Sequence, residues 1–287
     1  MDRAAHLRSQ AEWFDRALAH HDSRVLAVWN SRSLVTEEST PRAAFLALDE
    51  LPEEKRRADE LILLGEFAGR SAFVAEFEAE EAPQLKQGTR FEDLRMVAML
   101  LPGDEAGLLA YARAMISWRR QHRFCGICGT RTTPTRGGHV LVCTNPGCKH
   151  EQFPRIDPAI IVLVSDGERA LLGRQASWPQ GRYSTIAGFV EPGESLEDAV
   201  AREVMEETAV AVTSVRYDSS QPWPFPSSLM LGFHATAAPG SPVKIGQELE
   251  DAAWFTREQI LSGGGIMVPP SHSISYRLIS TWLEGRA

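Results

Sequence analysis

All four cysteines of this 287-residue chain fall within twenty-four residues, as Cys125-x2-Cys128, fourteen intervening residues, then Cys143-x4-Cys148. Two close pairs separated by a hairpin-length insert match a tetrahedral zinc site, in which each pair makes a tight knuckle and the insert returns the chain. Gly126, Gly129, Pro146 and Gly147 supply the turns. The competing reading is two disulfides or four unrelated buried thiols. The N-terminal stretch MDRAAHLRSQAEWFDRALAH has no basic segment followed by an uninterrupted apolar run, so no secretion signal favours disulfides. Four thiolates close the coordination sphere, which makes the expected role structural. His139 and His150 could be spare ligands but are expected to be solvated surface residues.

The cysteine cluster divides the chain, and the length suits more than one domain. A hydrophobic content of 43% is enough for packed cores, and no window approaches the length of a membrane span. The last residues, Glu284 to Ala287, carry no retention or peroxisomal address, so cytoplasm is the expected location. A net charge of -8 disfavours a protein devoted to holding nucleic acid, although one local basic patch could still do so. The cysteine insert, Thr130 to Val142, carries only Arg131 and Arg136 and no aromatic to stack on a base. A catalytically silent zinc-ribbon protein that binds nucleic acid or a regulatory partner is therefore the weaker functional class.

Between Arg24 and Glu78, apolar runs alternate with turn signals, and Glu60 to Phe77 reads as two strands joined near Gly69. From Asp104 to Gln121, Leu108, Leu109, Ala112, Met115, Ile116 and Trp118 recur at helical spacing, with Asp104 placed to cap the start. Further on, Ala159 to Val164 and Arg169 to Gly173 read as strands around the turn Ser165-Asp166-Gly167. The mixture predicts an α+β chain: a β-rich N-terminal domain ending in a helix (1–120), a zinc ribbon (121–153) and a domain that mixes strands and helices (154–287).

The catalytic reading rests on GFVEPGESLEDAVAREVMEETAV, Gly188 to Val210. Ser195 is a good N-cap, Glu197 and Asp198 suit the positive end of the dipole, and a helix should run from Leu196 to Thr208. Leu196, Ala199, Val200 and Val204 form its apolar stripe. Glu203, Glu206 and Glu207 stand at i, i+3 and i+4, so their carboxylates share a face. Such crowding is unfavourable unless something positive neutralises it, and magnesium or manganese would do so. A solvated acidic helix is the bland alternative.

The segment resembles the Nudix box, Gx5Ex7REUxEExGU, at Gly188, Glu194, Arg202, Glu203, Val204, Glu206, Glu207 and Val210, with Ala209 in place of the second glycine. The resemblance implies an α/β/α sandwich that hydrolyses a nucleoside diphosphate linked to another moiety. It makes Glu203 and Glu207 metal ligands, Glu206 a ligand or the base, Arg202 the residue that orients them, and Glu194 a support in the loop. If position 209 needs positive φ, alanine there shifts the loop or costs about 1 kcal/mol.

Ser220 to Ser228 reads SQPWPFPSS, whose alternate prolines forbid a helix and make a central strand unlikely. It suits either a rigid surface loop or a preformed aromatic platform of Trp223 and Phe225. The stretch is similar to the SQPWPFPxS signature of the NADH pyrophosphatase branch of the Nudix family, which also carries a zinc ribbon ahead of the catalytic domain. That resemblance implies NADH or NAD as substrate, split to nicotinamide mononucleotide and AMP, with NAD-capped RNA or ADP-ribose as alternatives, and a homodimer. It implies that Gln221, Pro222, Trp223, Pro224, Phe225, Pro226, Ser227 and Ser228 line the nucleotide site. It adds the Ala187 carbonyl and Glu248 to the metal shell, with Glu250 or Asp251 instead if the register differs. Phe153 and Ser275 are weaker carry-overs that could equally be core residues.

Overall fold

In the computed structural model residues 1–263 and 265–286 are described, so Ala287, at the end of the stretch read for an address, lies outside them. The chain divides into two compact units, Met1–Arg155 with Pro224–Ser227, and Ile156–Trp223 with Ser228–Ala287. No helix among the described residues is long and apolar enough to cross a membrane.

The first unit comprises α1 (Ala11–Ala19), β1 (Arg24–Trp29), β2 (Arg32–Thr36), β3 (Phe45–Leu46), β4 (Leu61–Phe67), β5 (Arg70–Phe77), β6 (Thr89–Glu92), α2 (Leu94–Val97) and α3 (Gly103–Gln121). Its main sheet runs β4-β5-β1-β2-β6, with β3 on β1. The two strands expected in Glu60 to Phe77 are β4 and β5, paired antiparallel. Strand alternation sends Leu26, Ile62 and Val74 to one face and Val25, Leu63 and Phe73 to the other. The apolar stripe of α3 covers the first face, and Phe14 and Ala17 of α1 join the second. Burial on both faces explains why Leu61 to Leu64 is continuously apolar rather than alternating. Asp104 does not cap α3: Pro102 holds the N-cap position and Asp104 falls in the first turn, where its charge still suits the dipole. A small antiparallel sheet of β7 (Thr132–Thr135), β8 (Val140–Cys143) and β9 (Glu151–Gln152) completes the unit.

The second unit comprises β10 (Asp157–Ser165), β11 (Arg169–Arg174), β12 (Ile186–Phe189), α4 (Leu196–Thr208), β13 (Val212–Trp223), β14 (Ser228–Ala237), β15 (Asp251–Thr256), α5 (Arg257–Ser262) and α6 (Ile274–Leu283). The strands run β13-β14-β10-β11-β15, with β12 on β10. Ile160 and Val162 of β10 meet Ala199, Val200 and Val204 of α4, while Ile161 and Leu163 meet Ile260 of α5 and Ile274, Leu278 and Trp282 of α6. Helices thus cover both faces, giving the expected α/β/α sandwich. Each fully buried aliphatic chain here contributes roughly 1.5–3 kcal/mol of transfer free energy. Ser220 to Trp223 extend β13, but as an edge strand, the position in which Pro222 removes no needed donor.

Candidate active site

The helix that carries the glutamates forms where local chemistry dictates. Ser195 Oγ accepts from Asp198 N at 3.1 Å, and the helix runs over the expected residues. It ends on Ala209, which has φ 56° and ψ 18°. The last turn leaves carbonyls without intrahelical donors. Two are satisfied from far along the chain: Gly246 N donates to Glu207 O at 2.8 Å and Lys244 N to Thr208 O at 2.9 Å. Gly246 lies so close that a Cβ there would press on the Glu206 carbonyl. This pins the segment leading to Glu248 against the end of α4.

Arg202 organises the acids beside it. It holds Glu194 through Nε at 3.0 Å and Nη2 at 2.6 Å, and Nη1 reaches Glu203 at 2.8 Å and Glu206 at 3.1 Å. Nη2 also donates to the Phe189 carbonyl at 2.9 Å, tying the helix to the end of β12. Hydrogen bonding from Arg202, then from Glu191 N, holds the Glu194 carboxyl at about 2. Glu194 is thus the anchor for Arg202.

The three helix carboxylates are unequal. The Glu206 side chain is 60% exposed and that of Glu203 13%, whereas Glu207 is buried. Burial first, then the charges of Glu203, Glu248 and Glu206, push Glu207 up to about 7, and no hydrogen bond from a described residue relieves it. The Glu203 carboxyl lies against Gly188, where a Cβ would overlap it. Ala187, the next residue of β12, pairs with Ile161 of β10. Of the acids considered at the end of the loop, Glu250 pairs with Arg174 and Asp251 accepts from the Tyr183 hydroxyl. Glu248 is the one whose charge bears on Glu207. The glutamates do not converge as one set within 4.8 Å, a spacing met among described residues only by the four cysteines and by exposed His20 and His21 with half-buried Asp22. Donor chemistry fits a hard divalent cation: oxygen atoms throughout, with a buried carboxyl that has no counter-ion of its own.

The cysteines do converge. Their sulfurs lie within 4.8 Å of one another, with Cys125 to Cys148 at 3.8 Å and Cys128 to Cys143 at 3.4 Å. Four thiolates around a zinc ion stand about 3.8 Å apart, from a Zn–S bond near 2.3 Å. Burial pushes the Cys143 thiol up to about 12, so its thiolate requires a cation. The knuckles close through Gly129 N to Cys125 O at 2.9 Å and Cys148 N to Asn145 O at 3.0 Å. The expected structural zinc fits. His150 is exposed as expected, but His139 is buried, with Nε2 donating to Leu63 O at 2.7 Å, and neither joins the cluster.

The residues of the SQPWPFPSS stretch do not form one group. Gln221 Nε2 donates to His272 O and its Oε1 accepts from Ile274 N, both at 2.8 Å, so its amide locks the entry to α6. Pro222 and Trp223 finish β13 opposite Leu229 and Ser228. Pro224, Phe225, Pro226 and Ser227 belong to the first unit. There Arg113 Nε donates to Pro224 O at 3.0 Å, and the Phe225 ring has the guanidinium groups of Arg95 and Arg113 at 4.2 and 5.0 Å. Phe153 is 53% exposed, in the first unit. Ser275 is buried, its Oγ accepting from Thr185 Oγ1 at 2.8 Å and Thr185 N at 3.3 Å, which places it in the core. Sequence reasoning missed Lys244 and Gly246, because backbone donors carry no side-chain signal; the helix's orphan carbonyls were the only cue.

A profile described as the NUDIX domain matches residues 155–279. One for an NADH pyrophosphatase-like rudimentary NUDIX domain matches 22–118, and one for an NADH pyrophosphatase zinc ribbon domain matches 120–153. The NAD-capped RNA hydrolase NudC of Mycobacterium bovis is 37% identical over 300 residues, covering 98% of this chain and 92% of that protein. NudC of Stutzerimonas stutzeri is 41% identical over 78% of this chain and 77% of its own length. The human NAD-capped RNA hydrolase NUDT12 is 42% identical over 72% of this chain. The chain spans about half the length of that mammalian relative and of its Macaca fascicularis counterpart, 48% in each.

Proposed function

This chain belongs to the Nudix hydrolase family, in its NADH pyrophosphatase branch, and on that premise we propose that it hydrolyses the diphosphate bond of NADH or NAD to nicotinamide mononucleotide and AMP. The observation that carries the reading is the buried Glu207, pushed up to about 7 beside Glu203, Glu206 and Glu248 with no counter-ion of its own. These four carboxylates and the Ala187 carbonyl would hold magnesium or manganese, which would supply the charge that neutralises a diphosphate and acidifies water. Arg202 aims Glu203 and Glu206 through its two contacts, and Glu194 keeps Arg202 in place. Glu206, the most exposed of the three glutamates Glu203, Glu206 and Glu207, is either a further donor or the base that takes the proton from the attacking water. Gln221 positions the loop before α6, while Trp223, Ser228 and the remaining signature residues are the candidates for nucleotide contacts. The same bond occurs where NAD forms the end of an RNA, and the names of the relatives bring that polymer in as a second substrate. Cytoplasm, where zinc thiolates persist reduced, and a homodimer complete the reading.

Incubation with NADH and magnesium or manganese is expected to release both mononucleotides, and chelation of the divalent cation to abolish the release. Glu207→Gln should lower turnover by about a hundredfold. If the wild-type chain forms neither product at saturating metal, the reading fails.

A further inference from the structure

The first unit carries a charge pattern that diphosphate chemistry does not use. From Arg119 to Arg155, seven Arg and Lys stand against one acid, Glu151, in a chain with 30 basic and 38 acidic residues. Four of the seven are engaged within the unit: Arg119 donates to the Asp59 carbonyl, and Arg120, Arg123 and Arg136 pair with Glu76, Glu78 and Glu151. Exposed Arg131, Lys149 and Arg155 make no ion pair with any described residue.

Two aromatic rings stand in solvent in the same unit, Phe124 at 56% and Phe153 at 53% exposure. The Arg131 guanidinium lies 5.8 Å from the centre of the Phe124 ring, and a backbone bridge joins the two residues. The zinc knuckle fixes this pair, because Cys125 follows Phe124 and its N–H donates to Thr130 O at 2.8 Å. The aromatic that the cysteine insert lacks is therefore supplied from just outside it. Beside Arg131 the surface falls into a cavity of about 360 Å³ walled by Arg119, Arg123, Thr132 and Thr133. Its four acids are each tied to a cation: Asp59 to Arg57, Glu60 to Lys55, Glu76 to Arg120 and Glu78 to Arg123. Arg119 Nη1, at its wall, has no hydrogen-bond partner.

We propose that this face of the zinc ribbon, centred on Phe124 and Arg131, binds the single-stranded polynucleotide that follows the NAD moiety of a capped RNA. The proposal rests on the capped-RNA reading above. Unpaired Arg131 answers a phosphate by counterion release, and a solvent-facing ring backed by its guanidinium offers a base the stacking partner that a duplex would not use. An acidic peptide would satisfy the cations but leave the ring without purpose.

Anisotropy of an uncapped, labelled single-stranded RNA of about twelve nucleotides, with the zinc-loaded full chain and no magnesium, tests the face apart from hydrolysis. Arg131→Glu and Phe124→Ala should each weaken binding about tenfold, and Arg131→Glu should flatten the log-log salt slope by about 0.7 per lost phosphate contact. Arg131→Lys should retain most of the affinity, and zinc content confirms that each variant folds. On capped RNA, Arg131→Glu and Phe124→Ala should raise KM about tenfold while NADH turnover stays within about twofold. Unchanged RNA affinity in Arg131→Glu overturns the proposal. So does equal loss on NADH and capped RNA, or displacement of the RNA by polyglutamate. A wild-type chain that binds the RNA but hydrolyses neither substrate overturns the functional reading and leaves the binding face standing.

Discussion

Ala209 ends α4 in the left-handed region, with φ 56°, and its N–H still donates to Met205 O at 2.9 Å. An L side chain there crowds its own carbonyl, a cost of roughly 1 kcal/mol relative to glycine. The helix end is nonetheless capped, since Glu207 O and Thr208 O find their donors. Ala209→Gly is therefore expected to stabilise the protein by about 1 kcal/mol, less a few tenths for added freedom in the unfolded chain, as read by urea denaturation. A loss of stability would mean that alanine packs too well to give up. The doubt about position 209 was legible because one residue departed from a local pattern. His139 was not legible in this way, for its burial depends on β4, remote in sequence. Desolvation holds its imidazolium at about 4, below the ordinary 6.5. A depressed histidine favours the fold above pH 6.5, and that favour is lost as pH falls through 4, because the unfolded chain takes up the proton first. The first unit should lose about 2 kcal/mol between pH 7.5 and pH 5 from this group. In His139→Gln the pH dependence across that window should flatten; if it does not, another group governs it.

Elements differ in how local their causes are. The helix α4 was legible to the residue because its cap, first-turn acids and apolar stripe all lie within it. The extent of β13 was not, since whether Pro222 is tolerated depends on the strand's place at the sheet edge, which its neighbours decide. The relation of β12 to α4 shows why the box begins with glycine. Gly188 leaves the space that the Glu203 carboxyl occupies, and Arg202 ties the helix to the Phe189 carbonyl one residue further on. Gly188→Ala should leave the fold intact, because the obstructing atoms belong to one flexible side chain, yet push Glu203 out of place. Turnover on NADH is expected to fall by about a hundredfold, with circular dichroism and zinc content unchanged. Wild-type turnover would show that the carboxyl has no need of that cradle.

At the scale of the whole molecule, the chain has two units with separate cores and one metal centre built from thiols. The α/β/α sandwich and the ribbon were both legible, since each rests on a pattern confined to a short stretch of sequence. The assignment of Pro224–Ser227 to the first unit was not, because nothing in SQPWPFPSS announces that Phe225 finds Arg95 and Arg113. The ribbon has only three short strands, too small a sheet to hold itself together by burial, so the zinc ion should supply most of its folding free energy. Removing zinc with a strong chelator, or replacing Cys143 with serine, should therefore release the amides of residues 123–152 to hydrogen exchange. The β10 and α4 amides should keep their protection, because the apolar chains that bury them come from the second unit's own sheet and helices. Hydrogen exchange resolved by peptide distinguishes the outcomes: protection lost equally across β10 and the ribbon would mean that the two cores fold as one cooperative body, whereas protection retained in the ribbon would mean that its thiols hold without the ion.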